Sequence, residues 1–266
     1  MAGVPLWHID AFTDRPFGGN PAAVCVLPEE RDAPWLQAVA AEMNLSETAF
    51  IRRRDDGFEL RWFAPAVEVD LCGHATLASA HALWENGYAP HGETIRFHTR
   101  SGVLTATQRG ALIELDFPAT PVEETPSPPG LLESLGVDEQ QVLVAGRTKF
   151  DRLIALRSAE AVRRLSPNFA LLASVQTRGI IVTAESDDAN YDFVSRFFCP
   201  SVGVNEDPVT GSAHCALTPF WASRLGKEAF AAYQASARGG VVQTALHGDR
   251  VLLAGQAVTV VRGELL

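Results

Sequence analysis

RWFAPAVEVDLCGHATLASAHAL, residues 61–83, decides the fold because the chain repeats the pattern as RFFCPSVGVNEDPVTGSAHCAL, residues 196–217. The alignment places Arg61 on Arg196 and Val67 on Val202, with one short insertion before the second glycine turn. Each copy reads as a strand, a glycine turn and then an alanine- and leucine-rich helix. Copies this far apart predict two related domains rather than a solenoid, whose period is about 20 to 50 residues.

The two glycine turns predict a pair of anion-binding helix starts. A helix start leaves about four backbone N–H groups without helical partners and carries a partial positive charge. Gly73 and Gly211 permit close backbone approach, and His74 and Ser212 add side-chain donors at equivalent places. Two such starts facing one cleft between the domains would hold a carboxylate. The alternative is a pair of ordinary turn glycines with N-capping neighbours.

Composition describes an ordinary globular protein. The chain has 266 residues, of which 47% are hydrophobic and 20% charged. The N-terminus lacks the pattern of a signal peptide and no apolar run approaches the roughly 18 residues of a membrane span, so we expect a cytoplasmic protein with no membrane partner. A formal net charge of −10 repels nucleic acid, which we exclude as a partner.

Cysteine spacing and glycine motifs give no sign of a metal or cofactor. The four cysteines form no C-x-x-C pair and no histidine lies at metal-ligand spacing from them. The chain contains neither a G-x-G-x-x-G nor a P-loop string. We therefore expect a protein that uses no metal and no cofactor.

A proline-rich stretch, residues 118–129, predicts the domain boundary, because proline continues neither a helix nor a strand ladder. We place one domain at residues 1–118 and the other at 119–266, with the last strand able to cross back to the first domain. Predicted strands and helices mix without strict alternation. This favours an α+β fold with curved, mixed or antiparallel sheets over a Rossmann sheet.

Three polar residues are candidates for chemistry. Glu47 is an acid among apolar and small residues at a predicted helix-to-strand corner, where burial would raise its pKa and suit it to general acid/base catalysis. Asp207 precedes the second glycine turn and could hold a substrate amine or hydroxyl, while His74 could donate to a carboxylate or shuttle a proton. The alternatives are a surface or capping glutamate, a turn-starting aspartate and a capping histidine.

Four ordered blocks carry a family resemblance that spans nearly the whole chain. They are DAFT at 10–13 with FGGNPAAV at 17–24, NLSETAF at 44–50, GHAT at 73–76, and EDPVTGSA at 206–213. On these motifs the chain resembles the PhzF family, the phenazine biosynthesis-like isomerases, which share the fold of diaminopimelate epimerase.

The resemblance implies two pseudo-symmetric domains, each an open barrel around a central helix, with the active site between them. It also implies a homodimer and no metal or cofactor. In the phenazine enzyme, a glutamate in the position of Glu47 moves a proton across the ring of trans-2,3-dihydro-3-hydroxyanthranilate. The resemblance implies catalytic roles for His74 and Asp207 beside Glu47, and substrate-binding roles for further residues: Asn20, Cys72, Gly73, Gly211 and Ser212.

Diaminopimelate epimerase uses two cysteines, one at each glycine turn, and here those positions carry Cys72 and Thr210. A threonine hydroxyl is too weak an acid to supply the second base, so two-base racemisation is disfavoured. Three hypotheses stay open: an isomerase acting through Glu47 on a small carboxylate, an epimerase, racemase or dehydratase using Cys72 with another partner, and a non-catalytic small-molecule-binding protein.

Overall fold

The computed structural model describes residues 3–266, and these form two compact units. Of the described residues, unit 1 comprises 3–117 with Leu252–Leu266, and unit 2 comprises Pro118–Val251. The C-terminal strand belongs to unit 1 because it pairs antiparallel with the first strand of the chain. The sequence-based division, 1–118 and 119–266, allowed for this crossing strand. No helix in the described part of the chain is long and apolar enough to cross a membrane.

The described residues contain eighteen strands and six α-helices. The strands are Val4–Ala11 (β1), Asn20–Leu27 (β2), Glu47–Arg54 (β3), Gly57–Phe63 (β4), Glu68–Val69 (β5), Ile95–Thr99 (β6), Gly102–Arg109 (β7), Leu112–Pro118 (β8), Glu123–Glu124 (β9), Val142–Arg147 (β10), Arg152–Leu156 (β11), Ile180–Glu185 (β12), Phe193–Cys199 (β13), Val204–Asp207 (β14), Ala229–Gln234 (β15), Gly240–His247 (β16), Arg250–Gly255 (β17) and Ala257–Leu265 (β18). The helices are Ala33–Met43 (α1), Gly73–Glu85 (α2), Leu131–Leu135 (α3), Ala159–Arg164 (α4), Phe169–Leu172 (α5) and Gly211–Leu225 (α6).

The same pattern of strand pairing occurs in both units. In unit 1, β1–β2 is antiparallel, β2–β3 parallel, β3–β4 antiparallel, β4–β6 parallel and β6–β7 antiparallel. In unit 2, β10–β11, β11–β12, β12–β13, β13–β15 and β15–β16 repeat that order of antiparallel and parallel pairs. The internal repeat found in the sequence is therefore one of topology as well.

A matched arginine marks the repeat in three dimensions. Arg61 donates from Nε and Nη2 to Glu68, each at 2.8 Å, and its guanidinium lies 5.1 Å from the Phe63 ring centroid. Arg196, its aligned counterpart, pairs with Glu206 at 2.7 and 2.8 Å and lies 4.8 Å from the Phe198 ring. In each unit a half-buried, bidentate ion pair thus fastens the strand of the repeat to the short strand that follows it. The Phe198 ring beside Arg196 is fully buried.

Each repeat helix is the centre of its unit's core. Helix α2 is buried from His74 through Ala80 and packs on β1, β2, β3, β7 and β18. Helix α6 packs on β15 and β16, and its apolar side chains join a cluster with the inner faces of β11, β12 and β13. Small alanine side chains allow close helix-to-sheet approach, which explains why both repeats are rich in alanine. The mixed sheets around a buried helix confirm the predicted α+β class.

Candidate active site

Two parallel strands and one helix bring the predicted residues of unit 1 together. Asn20 is the first residue of β2 and Glu47 the first residue of β3, and Glu47 pairs with Ala22 in the parallel ladder. Parallel pairing places both strand beginnings at the same edge of the sheet. Helix α2 begins at Gly73 and packs on both strands. Its first turn therefore places His74 beside Asn20 and Glu47.

The loop before β2 is fixed by a glycine and a buried acid. Gly19 has φ +58°, and a Cβ at this position would lie 2.0 Å from the Ala11 carbonyl oxygen, so only glycine fits. Buried Asp10 accepts a hydrogen bond from the Phe17 backbone N–H at 2.7 Å. These contacts explain the FGGNP motif: they fold the loop tightly and set the position of Asn20.

His74 lies at the centre of a four-residue group. Its Nε2 is 3.3 Å from Glu47 Oε2, and its Nδ1 is 3.2 Å from Asn20 Nδ2 and 3.5 Å from Cys72 Sγ. The His74 side chain is 6% exposed, whereas that of Glu47 is 20% exposed. The carboxylate is thus the member of this contact that solvent or a ligand reaches more easily.

Burial lowers the pKa of His74 from 6.5 to about 3, so the imidazole is neutral at neutral pH. The tautomer that accepts from the Asn20 amide on Nδ1 carries its proton on Nε2, facing Glu47. A neutral ring of this kind is a poor proton carrier, because its protonated form is disfavoured by burial. Within this group, Glu47 is the better general acid/base.

Equivalent residues precede the two repeat helices. Cys72 is the N-cap of α2 with φ −144° and ψ 112°, and Thr210 is the N-cap of α6 with φ −112° and ψ 101°. Within the described residues, neither N-cap side chain makes a capping hydrogen bond to a backbone N–H of its helix, and no acid lies in the first turn. The backbone N–H groups that begin at Gly73 and Gly211 therefore suit an anion.

In unit 2 a buried glutamine organises the second glycine turn. Thr210 donates from Oγ1 to Asp207 Oδ2 at 2.5 Å, and its backbone N–H donates to Gln234 Oε1 at 2.9 Å. The Gln234 amide in turn donates to the Asp207 carbonyl at 2.8 Å. The Thr210 hydroxyl keeps its proton in this contact, because a carboxylate is far too weak a base to remove it, so the hydroxyl does not act as a base. This agrees with the argument against two-base racemisation.

An arginine holds the serine of the second turn. Arg178 donates from Nη2 to Ser212 Oγ at 3.1 Å and makes a bidentate pair with Asp151, at 2.8 and 2.5 Å. The Asp151 side chain is only 3% exposed, and the guanidinium lies over the rings of Phe150 and Phe197. Burial alone would lower the pKa of Arg178, but the hydrogen bonds and charge of Asp151 reverse this and raise it. Ser212 is thus positioned by a permanently charged group.

The structure groups the predicted residues by unit. Glu47, Cys72, Gly73, His74 and Asn20 meet in unit 1, and Asp207, Gly211 and Ser212 lie around the second turn in unit 2. Asn20, predicted to bind substrate, is fully buried and contacts His74. Sequence reasoning missed three residues, and no local motif marks any of them: Asp151, Arg178 and Gln234.

Comparison with known proteins identifies the family of the chain. The PhzC-PhzF family model, described as phenazine biosynthesis-like protein, matches residues 9–263. An uncharacterized isomerase of Halalkalibacterium halodurans is 57% identical over 267 residues, covering 100% of both chains. A PhzF family phenazine biosynthesis protein from Enterococcus faecalis, known from its crystal structure, has a TM-score of 0.94 and 40% identity, covering 100% of both chains.

The fold extends to a more distant epimerase. A hydroxyproline epimerase from Agrobacterium vitis has a TM-score of 0.65 at 11% identity, covering 98% of this chain and 92% of that one. At this identity the likeness concerns the fold alone, and it confirms the predicted epimerase-like architecture. Because the family model and a relative of 57% identity both span the chain, the chain belongs to the PhzC-PhzF family of phenazine biosynthesis-like proteins.

Proposed function

We propose that this protein is a cofactor-independent isomerase that shifts a proton on a small carboxylate substrate, with Glu47 as the general acid/base. The observation that carries the proposal is the 3.3 Å contact between Glu47 Oε2 and the buried, neutral His74 ring at the start of α2. Family membership and a relative named an isomerase support the reaction class.

The proton transfer needs one carboxylate. Glu47 takes a proton from a carbon of the substrate and becomes a neutral carboxylic acid, while the electron pair moves into the substrate's conjugated system. Glu47 then returns the proton to a second carbon and regains its charge. The neutral His74 ring stays beside the carboxylate, with its Nε2 3.3 Å from Glu47 Oε2. Its own pKa of about 3 keeps it from taking the proton that Glu47 carries.

The helix starts supply the binding groups. In unit 1 the backbone N–H groups at Gly73, and in unit 2 those at Gly211 with the Ser212 hydroxyl, would each donate to anionic oxygens, because a carboxylate suits a helix start electrostatically. Asp207 would accept from a substrate amine or hydroxyl. Asn20 acts in this scheme through His74, because it is fully buried and contacts that ring.

A thiol mechanism is the second candidate, favoured by the 3.5 Å distance between Cys72 Sγ and His74 Nδ1. An ordinary thiol ionises near pH ~8.5, and activating it requires a base that accepts its proton. An imidazole whose pKa is about 3 is a poor acceptor, so the pair would stay as thiol and neutral ring. The Glu47 route is therefore preferred over an epimerase, racemase or dehydratase acting through Cys72.

The proposal is tested by proton NMR of the purified protein in deuterated water. The first substrate is trans-2,3-dihydro-3-hydroxyanthranilate, followed by a panel of small cyclic and amino-acid-like carboxylates. We expect the native protein to move a proton and incorporate deuterium on at least one compound, and Glu47→Gln to lose this activity while unfolding normally in urea. Glu42→Gln, an exposed glutamate on α1, is the matched control and should keep full activity.

Two outcomes would reject the proposal. Unchanged turnover in Glu47→Gln would remove Glu47 from the chemistry. Tight binding of a carboxylate by the native protein with no exchange or conversion would instead identify a non-catalytic small-molecule-binding protein.

We further propose that the protein is a cytoplasmic homodimer and that it binds a small-molecule substrate. Light scattering coupled to size exclusion tests the dimer, and a mass of one chain, 28.7 kDa, would contradict it.

A further inference from the structure

Three chemically different metal ligands meet where α2 begins. The carboxylate of Glu47, the thiol of Cys72 and the imidazole of His74 each offer one ligand atom, and these atoms all lie within 4.8 Å of one another. Spacing along the chain gave no sign of this group, because Glu47 comes from β3 and joins the other two only through the parallel pairing of β2 and β3.

The distances can be compared with those a zinc ion requires. With bonds of about 2.0–2.3 Å, a tetrahedral zinc ion places its ligand atoms about 3.3–3.8 Å apart. Here Cys72 Sγ lies 3.5 Å from His74 Nδ1, and Glu47 Oε2 lies 3.3 Å from His74 Nε2. These two contacts use opposite nitrogens of the His74 ring, and a single ion can bind only one of them. The ligand beside the other nitrogen would therefore have to move about 1 Å toward the ion. Glu47, the most exposed of the three side chains, is the one best able to move.

Charge also favours a divalent ion in this group. A carboxylate and a thiolate together neutralise a dication, which matters because Cys72 and His74 are 6% and 5% exposed. The positive end of α2 opposes a bare cation, and the two anionic ligands offset that repulsion. Nitrogen, sulfur and oxygen ligands together suit zinc, and three protein ligands leave a fourth position open.

We propose that Glu47, Cys72 and His74 bind one Zn²⁺ ion and that the bound ion inhibits the enzyme reversibly. Binding forms one bond from each ligand, displaces the Asn20 amide from the lone pair of His74 Nδ1 and releases the Cys72 thiol proton to water. The inhibition rests on the proposed function: the Glu47 lone pair bound to the metal is the one that would take the substrate proton. Metal binding itself does not depend on the reaction.

Cobalt(II) titration of the purified full chain tests the binding, because a cobalt–thiolate bond gives a near-ultraviolet charge-transfer absorption. We expect one equivalent of Co²⁺ to bind with this band and to be displaced by one equivalent of Zn²⁺. Cys72→Ser should lose the band, and Glu47→Gln should bind at least about tenfold more weakly. Cys215→Ala, which removes a buried thiol of unit 2, is the matched control and should titrate like the parent. A parent without the band, or a band that survives in Cys72→Ser, would overturn the site.

Activity separates this proposal from the proposed function. If the native protein catalyses proton exchange, about one equivalent of Zn²⁺ should abolish it, and a chelator should restore it fully. Turnover that ignores bound Zn²⁺ would overturn the inhibition while leaving the isomerase proposal intact. Metal binding at these three ligands in a protein that catalyses nothing would reject the isomerase proposal and support the site.

Discussion

The buried His74 ring makes a quantitative prediction about acid stability. Its pKa is 6.5 in an exposed chain and about 3 in the folded protein, because burial disfavours the charged ring. The unfolded chain therefore binds the proton more readily than the folded one. The contribution of the neutral His74 ring to the free energy of unfolding is fully present above about pH 6.5. It is lost as the pH falls toward the folded pKa of about 3.

The size of the loss follows from these two values. Between about pH 7 and about pH 5, a shift from 6.5 to about 3 removes about 2 kcal/mol from the free energy of unfolding. His74→Gln removes the titrating group, so its stability should fall by about 2 kcal/mol less than that of the parent over the same interval. Titrating groups that do not contact position 74 behave equally in both proteins, and their contribution therefore cancels in the comparison.

Urea unfolding at the two pH values measures the difference. Tryptophan fluorescence is a suitable probe because Trp7, Trp35, Trp62 and Trp84 belong to the same unit as His74, and only Trp221 belongs to unit 2. His247→Gln, at an exposed position, is the control and should show the pH dependence of the parent. An identical pH dependence in His74→Gln and the parent would refute the argument that His74 is buried as a neutral ring.

Two further predictions concern the elements that position the site and the repeat. Gly19→Ala should lower the free energy of unfolding by at least about 2 kcal/mol in urea titrations, because the backbone is left-handed there and the new Cβ would meet the Ala11 carbonyl. A loss below about 0.5 kcal/mol would contradict the tight loop. Arg61→Met and Arg196→Met should each lower the free energy of unfolding by about 2 kcal/mol. Arg196→Met should be the more destabilised variant, because in Arg61→Met the Glu68 carboxylate keeps a second partner, Arg100, at 2.7 Å. The reverse order in urea titrations would contradict that ranking.

The repeat and its glycine turns could be predicted from the sequence because they are local signals. Strand formers, a glycine and an alanine-rich run follow one another within about two dozen residues in each copy. In the structure the repeat helices α2 and α6 begin at Gly73 and Gly211, where the glycine turns predict them. Strand β15 carries no such signal, because its sequence, AFAAYQ, is dominated by alanine, which is a poor strand former.

The contacts that complete the site could not be predicted, because they connect distant parts of the chain. Gln234 reaches the turn at Thr210 from β15, and Arg178 reaches Ser212 from a loop before β12. His74 and Glu47 meet only through sheet register, which no motif records. Sequence identified the residue types at the two turns, whereas tertiary packing decided which of them touch.

Deuterium incorporation by two variants tests the central claim, that Glu47 rather than Cys72 moves the proton. Native protein, Glu47→Gln and Cys72→Ala would each be incubated in deuterated water with a compound that the native protein isomerises, and exchange at carbon would be followed by NMR. The account predicts exchange in the native protein, continued exchange in Cys72→Ala, and loss of at least about 100-fold in Glu47→Gln. Exchange that survives in Glu47→Gln and disappears in Cys72→Ala would contradict it.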